Sequence, residues 1–157
     1  MENLEIIFEN IKVCDLNKLL YNYLLLDLKN IRNSHFYDEE HDKDLTIEEI
    51  ENLENYFSIP AIGNINVDRI NLGIDVLDIM IIISFDKIYG DVVINFPTKH
   101  FQSNTSKSDD SNCKILYSKL ETIYQEIELE RIILGYEPAY DDDMRLYCLD
   151  NKVQKGK

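Results

Sequence analysis

Apolar and polar positions along the chain follow two periods, one helical and one of strand type. Asp15 is suited to cap a helix over residues 16–31, where Leu19, Leu20, Tyr23, Leu24, Leu25, Leu26 and Leu28 leave little polar face. A helix that is apolar nearly all round is either central in the core or set against a partner, and the central position is expected here. Thr46 with Glu49 makes a capping box ahead of a second helix over 47–57, which carries Ile47, Ile50, Leu53 and Tyr56/Phe57 at helical spacing. Pro60 and Gly63 stop it. A third helix is predicted over 112–134, because Leu116, Leu120, Ile123, Ile127 and Leu134 fall on one stripe. Gly135 then reads as its terminator, and Pro138 prevents resumption.

Strand patterns fill part of the remainder. Residues 74–85 carry IMIIISF, a β-branched run expected of a strand buried on both faces. A turn over 86–91 and a second run over 92–96, ended by Pro97, predict an antiparallel hairpin with a loop of several residues. The first ten residues are ambiguous: Leu4, Ile6 and Phe8 alternate as in a strand, while Ile7 and Ile11 suit a helix. The polar stretch 102–112 predicts a mobile loop, and 144–149 a last short strand with Met144, Leu146 and Cys148 on one face. The sum is one α+β domain over residues 1–150, a small antiparallel sheet packed with three or more helices. A basic tail, 151–157, is expected to fray.

Composition narrows the function. Hydrophobic residues make up 45% of the 157, enough for a core without disulfide or metal. Thirty acids against 16 bases give a net charge of −14, which opposes direct binding to DNA, RNA or anionic membrane and favours a basic partner. Three scattered cysteines, with no C-x-x-C pair, suit reduced thiols in a cytoplasm. The opening MENLEIIFEN lacks the pattern of a signal peptide, and the apolar run 79–83 is far short of the roughly 20 residues that span a bilayer. Phosphate-binding, zinc and nucleophile motifs are absent, and His35, His41 and His100 have no metal-ligand spacing. No enzyme, cofactor or metal is therefore expected.

The acids are concentrated in two places. Residues 38–54 hold nine acids and one base, Lys43, a net −8. Asp38, Glu39, Glu40, Asp42, Asp44, Glu48 and Glu51 are its candidate partner-binding residues, set against the simpler reading of a solvated face. The spacing from Asp38 to Glu49 partly fits a calcium loop, but Lys43 stands where the sharp turn needs glycine. The second cluster is Glu137, Asp141, Asp142 and Asp143, with Tyr140 as a rigid contact residue. Its structural reading has the aspartates forming turns and Arg145 pairing with Glu137 or an aspartate. Its catalytic reading is a metal-dependent enzyme using Glu137, Asp141 and Asp143. A phage-type acidic mimic of DNA is a further alternative.

The segment GYEPAYDDDMRLY, residues 135–147, resembles the carboxy-terminal part of small acidic immunity proteins from bacterial polymorphic-toxin and contact-dependent growth inhibition systems. The resemblance implies a cytoplasmic, non-catalytic protein that binds one cognate toxin domain, commonly a basic nuclease. It implies that binding covers the toxin's active site or substrate surface. Glu137, Asp141 and Asp143 are the matched positions.

Overall fold

The computed structural model describes residues 2–101 and 106–150. Eight strands form: β1 (Asn3–Lys12), β2 (Ile31–Asp38), β3 (Lys43–Leu45), β4 (Ala61–Asn71), β5 (Asp75–Asp86), β6 (Tyr89–Pro97), β7 (Arg131–Tyr136) and β8 (Arg145–Asp150). All join one antiparallel sheet in the order β3-β2-β4-β5-β6-β1-β7-β8. Among the described residues three α-helices accompany it: α1 (Leu53–Tyr56), α2 (Thr98–Phe101) and α3 (Ser106–Glu126). The class is α+β as expected, but the sheet is not small: it dominates the fold.

Strict alternation along the strands divides the sheet into two unlike faces. Leu4, Ile6 and Phe8 of β1, Ile65 and Val67 of β4, Ile79, Ile81 and Ile83 of β5, and Val92, Ile94 and Phe96 of β6 all point into the main core. Leu116, Leu120 and Ile123 of α3 join that same core. β5 is thus buried on one face, not two: Met80, on its other face, is 40% exposed. Its hairpin with β6 is also tighter than expected, because Asp86 pairs with Tyr89 across a two-residue turn in which Lys87 takes a φ of 73°.

The apolar stretch over 16–31 enters the core, but not as one helix. Lys18–Tyr23 is a single wide helical turn, and the N–H of Leu24 donates to the Leu19 carbonyl five residues back at 2.9 Å. Leu25 then takes a φ of 53°, and the Asp27 carboxylate accepts from the Lys29 N–H as the chain turns into β2. Asp15 lies inside a preceding 3-10 turn and caps nothing there. Leu16, Leu19, Leu20 and Leu24 are fully buried. The second predicted helix shortens to a 3-10 turn, Ile47–Glu49, followed by α1.

The third helix begins earlier and ends earlier than predicted. It spans Ser106–Glu126, so the described part of the supposed loop is helical, while residues 102–105 lie outside the described residues. Leu134 fits the helical stripe only by coincidence of spacing; it sits on β7 opposite Ile6. Gly135 ends no helix. It pairs with Glu5 on one side and Arg145 on the other, and a Cβ there would lie 2.4 Å from the Met144 carbonyl oxygen. β8 forms one residue later than expected, with Met144 in the 3-10 turn before it. The tail 151–157 lies outside the described residues.

Candidate functional site

The two acidic clusters sit toward opposite ends of the strand order. The first caps the β2–β3 hairpin at one edge, and the second forms the β7–β8 connection near the other. Within the hairpin several carboxylates are committed internally. Asp38 accepts from the backbone N–H groups of Glu40 and His41, and its other oxygen lies 2.8 Å from His41 Nδ1. These contacts, led by the His41 side chain, hold the Asp38 carboxyl below its usual range. Asp42 accepts from the Tyr37 hydroxyl, and Asp44 lies 3.1 Å from His35 Nδ1. Glu49 accepts from the Thr46 N–H at 2.9 Å and from its hydroxyl at 3.2 Å, which closes the expected capping box and lowers the Glu49 pKa. Glu39, Glu40, Glu48 and Glu51 are exposed, with no side-chain partner among the described residues. A strand–turn–strand whose terminal glutamate is spent on a helix cap is not a calcium loop.

The carboxy-terminal cluster folds back over the second face of the sheet. Ala139 is fully buried there on Ile7 and Ile133. Its N–H donates to the buried carboxylate of Glu5 at 2.9 Å. Glu137 accepts from Asn3 at 3.1 Å. Arg145 pairs with Asp142 at 2.8 Å and donates to the Ala139 and Tyr140 carbonyls. This is the expected structural role, with Asp142 and not Glu137 as the ion-pair partner. Glu137, Asp141 and Asp143 do not gather; among the described residues no three histidine, cysteine or acidic side chains are placed to hold a metal ion.

Between the clusters the open face carries a cleft of about 1030 Å³. Its origin is legible in the registers. The β2–β4 ladder stops at Phe36–Gly63, while β2 continues two residues further with β3 and β4 two further with β5. The strands therefore part, and Tyr56 braces the gap by donating its hydroxyl to the Tyr37 carbonyl at 2.6 Å. Asp38, Glu39, Glu40, Asp86 and Asp91 line the cleft, and among the described residues no lysine, arginine or histidine does. Lys43 opens β3 opposite Asp38, and Lys87 stands on the β5–β6 turn. The apolar wall includes Ile62, 64% exposed, Ile59, 53% exposed, and Tyr37 and Tyr89, each 48% exposed.

The cleft and the far loop are physically connected. At the bulge of β1, Asn10 takes a φ of 57° and donates its N–H to Asp91 at 3.0 Å. Tyr140, from the loop, sets its hydroxyl near the same carboxylate. Burial, with Asp91 and Glu9 nearby, pushes that hydroxyl up to about 12. Beside it, Arg131 and Glu9 form a half-buried pair at 2.9 Å, which raises the guanidinium pKa further.

Of the residues singled out from the sequence, Asp38, Glu39 and Glu40 line the cleft and Tyr140 does not; Asp86, Asp91, Ile59, Ile62 and Tyr89 line it without having been singled out. Asp86 and Asp91 flank a turn recognisable in sequence, and only the register of β5 and β6 carries them beside the acidic hairpin. Glu48 and Glu51, though exposed, do not line the cleft.

The open face thus carries an exposed cleft that is both acidic and apolar, the character of an interaction surface. The chain belongs to the PABL017 Cdi1I immunity protein family, whose model matches residues 2–152. Immunity proteins of this kind are non-enzymatic, which sets aside the metal-dependent reading of Glu137, Asp141 and Asp143. No curated protein matches the chain. Its fold is similar to that of a chain in the crystal structure of the toxic C-terminal tip of CdiA from Pseudomonas aeruginosa in complex with immune protein. The TM-score is 0.71 at 18% identity, covering 96% of this chain and 95% of that one. No helix among the described residues is long and apolar enough to cross a membrane.

Proposed function

We propose that this chain binds and neutralises a cognate toxin domain of the contact-dependent inhibition type, inside the cell that carries both. The observation that carries the reading, beyond the family itself, is the concentration of uncompensated carboxylate on the open face. Desolvating carboxylates without a counter-charge is unfavourable, so a partner that covers this face brings cations to it. A basic, nuclease-like toxin has such cations where its own phosphate-bearing substrate would lie. The acids of the chain then stand in for phosphates, and the bound chain covers the active or substrate-binding surface. Asp38, Glu39, Glu40, Asp42, Asp44, Glu48 and Glu51 form one side of the partner-facing surface. Glu137, Tyr140, Asp141, Asp142 and Asp143 form the other. The P. aeruginosa complex supports the reading by analogy, since there an immune protein is bound to a toxic tip.

The test is co-expression with the toxic C-terminal domain encoded beside this chain. Growth restored by the chain, together with a stable complex on gel filtration, supports the proposal. Continued toxicity at equal expression, with no complex, refutes it.

A further inference from the structure

The same cleft carries a more specific assignment, which rests on the toxin-binding reading above. Its three uncommitted carboxylates, Glu39, Glu40 and Asp86, have no intramolecular side-chain partner among the described residues. Asp38 and Asp91 add charge at the rim but already accept hydrogen bonds from the chain itself. Next to these acids, Ile62 is 64% exposed and Tyr89 48%, which puts apolar surface beside the charge. A surface that combines unpaired charge with exposed aliphatic and aromatic groups is built for a side chain that is cationic at its tip and apolar along its stem. The parting of β2 from β4 supplies a concave seat where such a side chain is desolvated, instead of a flat acidic face.

We propose that this cleft seats one lysine- or arginine-bearing segment of the toxin domain, whose cation lies among Glu39, Glu40 and Asp86 while its flanking apolar atoms cover Ile62 and Tyr89. A second copy of the chain is a poor occupant, because at −14 it would bring like charge to a like-charged cleft. Nucleic acid is excluded on the same ground. Seating and steering leave different kinetic signatures. A carboxylate that only steers affects association, whereas a residue in the contact also holds the complex together.

The experiment is stopped-flow and surface-capture kinetics with the toxic C-terminal domain encoded beside the chain. Wild type is compared with Glu39→Lys/Glu40→Lys, with Ile62→Ala/Tyr89→Ala and with Asp75→Lys. Asp75 opens β5 at the end away from the cleft, eleven residues before Asp86, about 37 Å at strand rise. Thermal unfolding checks that each variant is folded. The proposal expects the charge reversal to slow association and to speed dissociation, each at least tenfold. It expects Ile62→Ala/Tyr89→Ala to speed dissociation at least tenfold with association within twofold, and Asp75→Lys to leave dissociation within twofold. If the wild type binds and the cleft variants dissociate like it, the proposal falls while toxin binding stands. If the wild type does not bind, both fall. Binding that tightens tenfold on removal of residues 151–157 overturns it differently, by assigning the cleft to the chain's own basic tail.

Discussion

Glu5, in the first strand, accepts a 2.9 Å hydrogen bond from the backbone N–H of Ala139, 134 residues later in the chain. Its carboxylate reaches from the second face of the sheet to the loop that closes over it. Glu5, the Ala139 amide and the Ala139 side chain are all buried, so neither end of the bond has water to fall back on. The bond therefore fixes the loop that carries Tyr140, whose hydroxyl stands near Asp91 at the cleft.

Replacing Glu5 with alanine leaves the Ala139 N–H buried and unpaired, at a cost of about 1–3 kcal/mol. Glu5→Gln keeps an acceptor oxygen and loses less. Urea denaturation of the two variants checks the order, and equal stability would show that the bond does not hold the loop.

Gly63 lets β4 pass beneath the aromatic ring of Phe36. A Cβ at position 63 would lie 2.2 Å from that ring, which is itself fully buried and packed edge-on to Tyr56 and Phe57. The ring has no solvent side to move into. Gly63→Ala is expected to destabilise by about 1–3 kcal/mol, the range for overpacking a core. The same strain lies where β2 and β4 part, so the variant also reshapes the cleft. Thermal unfolding checks the first effect, and toxin affinity per folded molecule the second.

Stability is expected to fall at both ends of the pH scale, for opposite reasons. Asp38 and Glu49 have folded pKa values below their unfolded ones. Their contribution is complete above the unfolded carboxylate range and is lost as pH falls through their lowered values. Tyr23, bonded to Glu126, and Tyr140, partly buried beside Asp91, both ionise at about 12 in the fold. A raised tyrosine pKa acts the other way: its contribution is complete below about 10, the ordinary value, and fades as pH rises toward 12. Ultraviolet titration of the phenolates in wild type, Tyr23→Phe and Tyr140→Phe checks the alkaline side. Late-ionising phenolates that persist undiminished in both variants would remove that account.

What the sequence made legible follows from which signals were unambiguous. The β-branched run of β5 and the alternation of β6 stand out, because their core positions are all large and apolar. β2 buries only Ser34 and Phe36 along eight residues, so it shows no apolar alternation and reads as part of a charged connection. β4 is masked by Pro60 and Gly63, which look like punctuation, although Gly63 is there to admit the Phe36 ring. β7 is masked by Leu134, whose spacing happens to extend the stripe of α3. The leucines of 16–26 go to the core except Leu25, which is exposed, but their helix ends after one wide turn, with Leu25 itself at positive φ. The site was legible as charge and not as shape. Asp38, Glu39 and Glu40 announce themselves locally, whereas Asp86, Asp91, Ile62 and Tyr89 become neighbours of that hairpin only through cross-strand register.

On the proposed reading a toxin domain is bound on the open face of the sheet, at the cleft, and not on the helical side. Hydrogen–deuterium exchange of the chain, alone and saturated with the toxic C-terminal domain encoded beside it, tests this most directly. Binding at the cleft slows exchange in residues 36–45, 55–62 and 86–91 and leaves the amides of α3 unchanged. Protection confined to α3, or no protection anywhere on the chain, would contradict it.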